Sequence, residues 1–213
     1  MDFNYPVSLN LSGKKVVVIG GGNIAQRKVK DLLKTKCVLE VYAEEIDPNF
    51  HRYLEERKIK YQEQSYNEEK ITDAFLVIAA TNNREINHAI SVFCNEKGIL
   101  VNVVDERDDC NFLVNTVLRR GDLSISVSTN GKAPALAKRF IKELDETYPV
   151  EYAIFIELLY EFREMAKEQI ADQEKRSEFL REIANLDVVS DLNHGDIEKV
   201  RERMKQCALS YTE

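Results

Sequence analysis

Cysteine is sparse and scattered. Cys37, Cys94, Cys110 and Cys207 lie far apart with no CxxC pair. That spacing argues against a zinc site or a disulfide scaffold and fits a reducing compartment. His51, His88 and His194 are isolated, with no HxH or HxxxH pair, so no metal site can be named and any metal is left unknown. No apolar run approaches the roughly 18 residues needed to cross a bilayer. Residues 1–6 do not read as a secretory signal, and the expected location is the cytoplasm. Positive charge is in deficit: 30 Lys and Arg against 37 Asp and Glu leave a net charge of −7. Such a chain is a poor generic binder of nucleic acid or of an anionic membrane, so neither is expected as a partner. There is no internal repeat and no low-complexity linker. The 213 residues, 44% hydrophobic, suffice for one sizeable core and a smaller appended unit.

What the chain does have is KKVVVIGGGNIAQRK, residues 14–28. A short apolar run meets three glycines and then a helix-forming segment. Gly20, Gly22 and Ala25 fit the G-x-G-x-x-G/A dinucleotide fingerprint. Gly20 permits the tight turn, Gly22 lets backbone approach a pyrophosphate, and Ala25 is small enough for helix to pack on strand. Free amides at the helix start then face the phosphates.

The first half alternates strand and helix. Strands are predicted at Val16–Ile19, Val38–Ala43, Ile59–Gln62, Phe75–Ala80 and Leu100–Val104. Helices are predicted at Ile24–Leu33, Pro48–Arg57 and Glu85–Lys97. This rhythm implies a parallel sheet covered by helices. It breaks at Phe112–Val117 and Leu123–Ser128, two β-prone runs joined like a hairpin, followed by a helix over Ala133–Tyr148. From Glu151 onward the chain reads as all helix, with apolar stripes at Tyr152, Phe155, Ile156, Leu159 and Phe162, then Phe179, Leu180 and Ile183, then Ile197, Val200 and Met204. The fold class expected is α/β: a Rossmann-type parallel sheet, a small α+β segment and an all-helical C-terminal domain.

In open α/β sheets the ligand sits outside the carboxyl ends of the strands. Past strand two stand Ala43, Glu44 and Glu45, with no Arg to pair a 2′-phosphate, which favours NAD over NADP. Past strand four come Thr81, Asn82 and Asn83, a small polar turn able to line the cofactor. Past strand five comes Asp105, well placed for acid/base work or metal capture. Tyr66-x-x-x-Lys70 mimics the Tyr/Lys pair of short-chain dehydrogenases but precedes strand four and is read as chance.

Four segments, GGGNIAQRK, FLVIAATNN, VNVVDERDDCNF and SISVSTNGKAPALAKRFIKEL, together resemble the precorrin-2 dehydrogenase / sirohydrochlorin ferrochelatase family, the N-terminal module of siroheme synthases. The resemblance is strongest over residues 1–145. It implies a Rossmann domain over 1–112, a dimerisation segment over 113–148 and a helical domain over 149–213. It also implies NAD-dependent oxidation of precorrin-2 to sirohydrochlorin by a homodimer, with ferrous iron insertion in some members. The resemblance assigns the pyrophosphate region to Gly20, Gly22, Asn23, Ile24 and Ala25, and the adenosine half to Glu44 and Glu45. Asp105 matches the family's active-site aspartate and Ser128 a serine of its active-site and phosphorylation region. A heavily carboxylated tetrapyrrole needs cations, for which Arg119 and Lys132 are candidates along with Arg27, Arg107, Arg120 and Arg139. The family often has proline where Asn115 stands, and a small residue or proline near Glu44. The methyltransferase domain of longer siroheme synthases is not expected here. Two rival readings share the glycine turn: a nucleotide-sensing Rossmann module without chemistry, and an S-adenosylmethionine-dependent methyltransferase.

Overall fold

The computed structural model describes residues 4–212. The chain divides into two compact units at Val114/Asn115. The first contains strands β1 (Lys15–Ile19), β2 (Val38–Ala43), β3 (Lys60–Glu63), β4 (Leu76–Ala79) and β5 (Leu100–Val103). Helices α1 (Asn23–Leu32), α2 (Pro48–Glu56) and α3 (Arg84–Lys97) connect them. All five strands are parallel, in the order β3-β2-β1-β4-β5. The order reverses between β1 and β4, the crevice where a doubly wound sheet takes its ligand.

Strand periodicity explains the two layers. Successive side chains point to opposite faces, so Val17, Ile19, Val77, Ala79, Val101 and Val103 meet Ile90, Phe93 and Cys94 of α3 on one face. Val16, Val18, Leu76 and Ile78 meet Ala25 and Val29 of α1 and Phe50 and Leu54 of α2 on the other. Strands buried on both faces read as continuous apolar runs, which is why VVVI and LVIA carry no alternation. Helix starts are set by side chains: Asp47 caps α2 by accepting from the amides of Asn49 (2.9 Å) and Phe50 (3.2 Å). Asn83 caps α3 through Glu85 N (2.9 Å) and Ile86 N (3.1 Å).

The second unit contains an antiparallel pair, β6 (Thr116–Arg120) and β7 (Leu123–Val127), then α4 (Pro134–Thr147), α5 (Tyr152–Gln169), α6 (Gln173–Ala184), α7 (Val189–Asn193) and α8 (Ile197–Thr212). The strand expected at Phe112–Val117 lies further along the chain. Arg120 pairs with Leu123, leaving a two-residue loop whose first residue, Gly121, has φ +56°. Glycine takes that position of a tight hairpin turn without strain, so the turn fixes the register and pulls Arg119 and Arg120 into the strand. Phe112 packs instead on the sheet core, and its carbonyl accepts from Asn102 Nδ2 (3.2 Å). Asn115 precedes the ladder, so a proline there would cost no strand bond. The helices bury Phe155, Leu158, Phe162, Phe179, Ile183, Val200 and Met204 in one cluster. Leu158, outside the expected stripe, replaces Ile156 as the buried residue of that turn.

Candidate active site

The glycine turn is shaped by its neighbours. Gly20 has φ +132°, and a Cβ on it would lie 2.2 Å from the carbonyl oxygen of Ala80. Its amide donates to Tyr42 O (2.8 Å), while Ala80 N donates to Ile19 O (2.7 Å), so β2 and β4 clamp the turn from both sides. A Cβ on Gly21 would lie 1.9 Å from Glu45 O, and Gly21 O accepts from Asp47 N (2.9 Å). Gly22 differs: a Cβ there meets nothing within 4 Å, and its φ of −91° is open to any residue. Its freedom is toward the outside, where a ligand's phosphates would approach.

Gly22 is also the N-cap of α1 and supplies no side chain to the helix start. The first helical bond runs from Gln26 N to Gly22 O (3.0 Å), so the amides of Asn23, Ile24 and Ala25 precede the ladder. An uncapped helix start beside a close-approach glycine fits a pyrophosphate. Ala25 is fully buried against β1, as a small residue must be where helix and strand touch.

Around this turn lies a cleft of about 580 Å³ lined by Gly20, Gly21, Gly22, Glu44, Glu45, Asp47, Tyr66, Thr81, Asn82, Asn83 and Ile86, among others. Of the residues expected at a cofactor, Gly20, Gly22, Glu44, Glu45 and Thr81 are thereby brought together. Asn23 and Ile24 follow on the exposed first turn of α1. Among the described residues no Lys or Arg lines the cleft, and Glu44, Glu45 and Asp47 make its β2 side acidic. The Glu44 carboxylate accepts from Ser65 Oγ (2.6 Å), which fixes one of its oxygens. Thr81 is held by Asn87, a buried amide: the Thr81 hydroxyl donates to Asn87 Oδ1 (2.7 Å) and Asn87 Nδ2 returns a bond to Thr81 O (3.0 Å). Tyr66 also lines the cleft, but its hydroxyl is buried without a partner and burial pushes its pKa up to about 12.

A family model described as "Putative NAD(P)-binding" matches residues 7–116, just over half of the chain. A second, described as "Sirohaem biosynthesis protein central", matches residues 120–146. The chain belongs to the first of these, the "Putative NAD(P)-binding" family. The siroheme synthase of Photorhabdus laumondii is 28% identical over 206 residues, 97% of this chain and 44% of its own length. That of Ruthia magnifica is 32% identical over 199 residues, 93% of this chain and 42% of its own length. The chain thus spans less than half the length of these relatives. Among solved structures, SirC, a precorrin-2 dehydrogenase, is 26% identical with a TM-score of 0.75, covering 95% of this chain and all of that one. The expected α/β class, with its small antiparallel pair and C-terminal helices, is the fold observed. Among the described residues no helix is long and apolar enough to cross a membrane. No group of three or more His, Cys, Asp or Glu among them is placed to hold a metal ion.

Asp105 stands outside the cleft lining, on the loop that follows β5. Ile19, Ala79 and Val103 are in register across β1, β4 and β5. Two strand spacings, roughly 10 Å, therefore separate the glycine turn from the start of the Asp105 loop along one sheet edge. Asp105 is exposed and sits at φ +63°, the left-handed region that non-glycine residues rarely occupy. Lys28 of α1, not among the expected cations, lies within electrostatic reach. Burial and then Arg27 lower its pKa, while Asp31, Cys110 and Asp105 pull it back up. Only tertiary packing brings α1 to this loop, so no spacing in the sequence signals the pair.

Of the expected cations, Arg27 on α1 and Arg107 after β5 are exposed in the first unit, and the remaining expected residues belong to the second. Arg119 is exposed on β6, opposite Ser124. Ser128, just past β7, is exposed, and its Oγ accepts from Asn130 N (3.2 Å). Lys132 is exposed in the turn before α4. Arg120 is committed internally: its side chain, 10% exposed, pairs with Asp145 (2.6 Å) and donates to Tyr148 O (2.7 Å). Arg139 pairs with Glu143 (3.3 Å) one helical turn away.

Proposed function

We propose that the chain is an NAD-dependent precorrin-2 dehydrogenase of siroheme biosynthesis, acting as a homodimer on its tetrapyrrole substrate in the cytoplasm. The observation that carries the reading is the turn at Gly20–Gly22. It is braced from within by Ala80 and Glu45 and open only at Gly22, beside an uncapped helix, at the point where the strand order reverses. A chain matching SirC along nearly its whole length carries that turn.

NAD, when bound, supplies the hydride acceptor, and the protein's part is orientation and electrostatics. The amides at residues 23–25 and the open face of Gly22 would hold the pyrophosphate. Glu44, oriented by Ser65, and Glu45 would receive the adenosine hydroxyls. An acidic β2 side without Lys or Arg opposes a 2′-phosphate, which supports NAD over NADP. Asp105 would take the proton that leaves the macrocycle, its exposure allowing a large substrate to reach it. Arg119 and Lys132 are exposed and free to meet substrate carboxylates, with Ser128 beside them in sequence. We assign the dimer contact to residues 113–148, where Val114, Val117, Leu136 and Phe140 leave apolar surface exposed, and the helical domain to 149–213.

An anaerobic assay with precorrin-2, following NADH and the sirohydrochlorin spectrum, tests the reading. The wild type should turn over with NAD and bind NADP at least tenfold more weakly. Asp105→Asn should keep NAD affinity and lose 100-fold or more in kcat, the scale of general acid–base catalysis. Full activity in Asp105→Asn would remove Asp105 from the chemistry. Binding of NAD without turnover in the wild type would favour the sensing module. Ferrous iron added to the product reads chelation in the same cuvette.

A further inference from the structure

Asp105 is presented by a short loop, and one thiol holds that loop from inside. Cys110 Sγ accepts from the Val103 amide (3.1 Å) and lies 3.2 Å from both Val103 O and Glu106 O, to either of which its proton can be donated. Asn102 Nδ2 approaches the same sulfur at 3.5 Å. Val103 lies two residues before Asp105 and Glu106 one residue after it, so the thiol grips both flanks of the aspartate. Its two neighbours are pinned as firmly. The buried hydroxyl of Ser91 donates to Asp109 O (2.6 Å). Asn111 Oδ1 accepts from Val101 N (2.7 Å), and its Nδ2 donates to Ile99 O (2.8 Å). Asp109, Cys110 and Asn111 thus lock the loop onto β5 and α3. Aspartate in the left-handed region persists only where its surroundings over-determine it, and these bonds are the surroundings.

We infer that Cys110 is a positioning residue for Asp105, holding the backbone on both of its sides so that the carboxylate meets the substrate in one orientation. The inference rests on the assignment of Asp105 as the proton acceptor. Burial pushes the Cys110 thiol up, which keeps it protonated and able to donate. Its role is that of a hydrogen-bonding clip, with no part in redox chemistry or nucleophilic attack.

The test uses the full chain in five forms: wild type, Cys110→Ala, Cys110→Ser, Asp105→Asn and the double variant Cys110→Ala/Asp105→Asn. An NAD titration counts the binding-competent sites, and the anaerobic assay gives kcat per site and KM for NAD. Cys110→Ala should keep the NAD dissociation constant and KM within twofold and lose at least tenfold in kcat per site. Cys110→Ser, which restores a donor and acceptor, should recover most of that loss. The double variant should be no slower than Asp105→Asn alone. An unchanged kcat per site in Cys110→Ala would overturn the inference, as would losses that multiply in the double variant. Wild-type kcat in Asp105→Asn would show instead that the assignment of Asp105 had failed, and the inference with it. Should Cys110→Ala not bind NAD, Cys110→Val, which refills the volume without a donor, stands in under the same criteria.

Discussion

Adding one methyl group at adjacent glycines should separate folding from binding. In Gly21→Ala the new carbon would sit 1.9 Å from Glu45 O and 2.8 Å from Ile46 Cα. Both are backbone atoms and cannot swing away as a side chain would. The β2–α2 connection must move, straining the bond from Asp47 N to Gly21 O. Overpacking of this kind costs about 1–3 kcal/mol, and for a chain of this size each kcal/mol lowers Tm by about 2–4 °C. In Gly22→Ala the methyl meets nothing in the protein at an ordinary φ. The cost is the small preference for glycine over alanine at an N-cap, below about 1 kcal/mol. It stands where the backbone must approach a phosphate, however. Losing one hydrogen bond to a charged group is worth about 1.5–3 kcal/mol, or roughly 10- to 150-fold in NAD affinity. Thermal melts without ligand and NAD titrations of both variants make the comparison. Wild-type NAD affinity in Gly22→Ala would refute the placement of the pyrophosphate. A wild-type Tm in Gly21→Ala would refute the steric reasoning.

Two further outcomes follow from polar groups away from the cleft. Burial would raise the pKa of Glu40, but hydrogen bonds from Lys60 (2.5 Å) and Tyr42 (2.6 Å) and the charge of Lys15 hold it below its ordinary value. A carboxylate depressed in the folded state contributes stability above its unfolded pKa, about 4.3, and loses that contribution as pH falls through the lower folded value. Glu40→Gln should therefore cost about 1–3 kcal/mol at pH 7, with the gap to wild type closing below about pH 4 in denaturant titrations; a gap constant with pH would count against the network. Arg120→Ala should cost about 1–3 kcal/mol of stability through loss of the Asp145 pair and the bond to Tyr148 O, and so lower Tm, while KM for precorrin-2 per folded site stays within twofold. A large rise in KM at unchanged Tm would return Arg120 to the substrate cations.

The legibility of the chain differed from one region to the next. FLVIAA read as a strand covered on both faces, and its LVIA portion is one because a buried parallel strand needs no polar side, while Phe75 lies before the strand and is exposed. The first strand of the hairpin was expected several residues too early, since Phe112–Val114 has strand-like composition but Phe112 packs on the sheet core and Val114 stays exposed. Arg120 looked like a free surface cation in RRGD until pairing drew it into β6 and turned it toward Asp145. Gly21 was passed over because the fingerprint names only its neighbours.

Composition and pattern alone settled the layered α/β plan, the position of the glycine turn and the absence of cations after β2. These follow from local rules: side-chain period, the conformational latitude of glycine, and which residues stand next to a strand's end. Tertiary structure decided that Gly21 is sterically obligatory as well as Gly20, because Glu45 O reaches Gly21 only after β2 has paired with β1. It likewise decided that Cys110 clasps the flanks of Asp105. Contacts between residues far apart in the chain depend on how strands register and helices pack, and no local spacing encodes that.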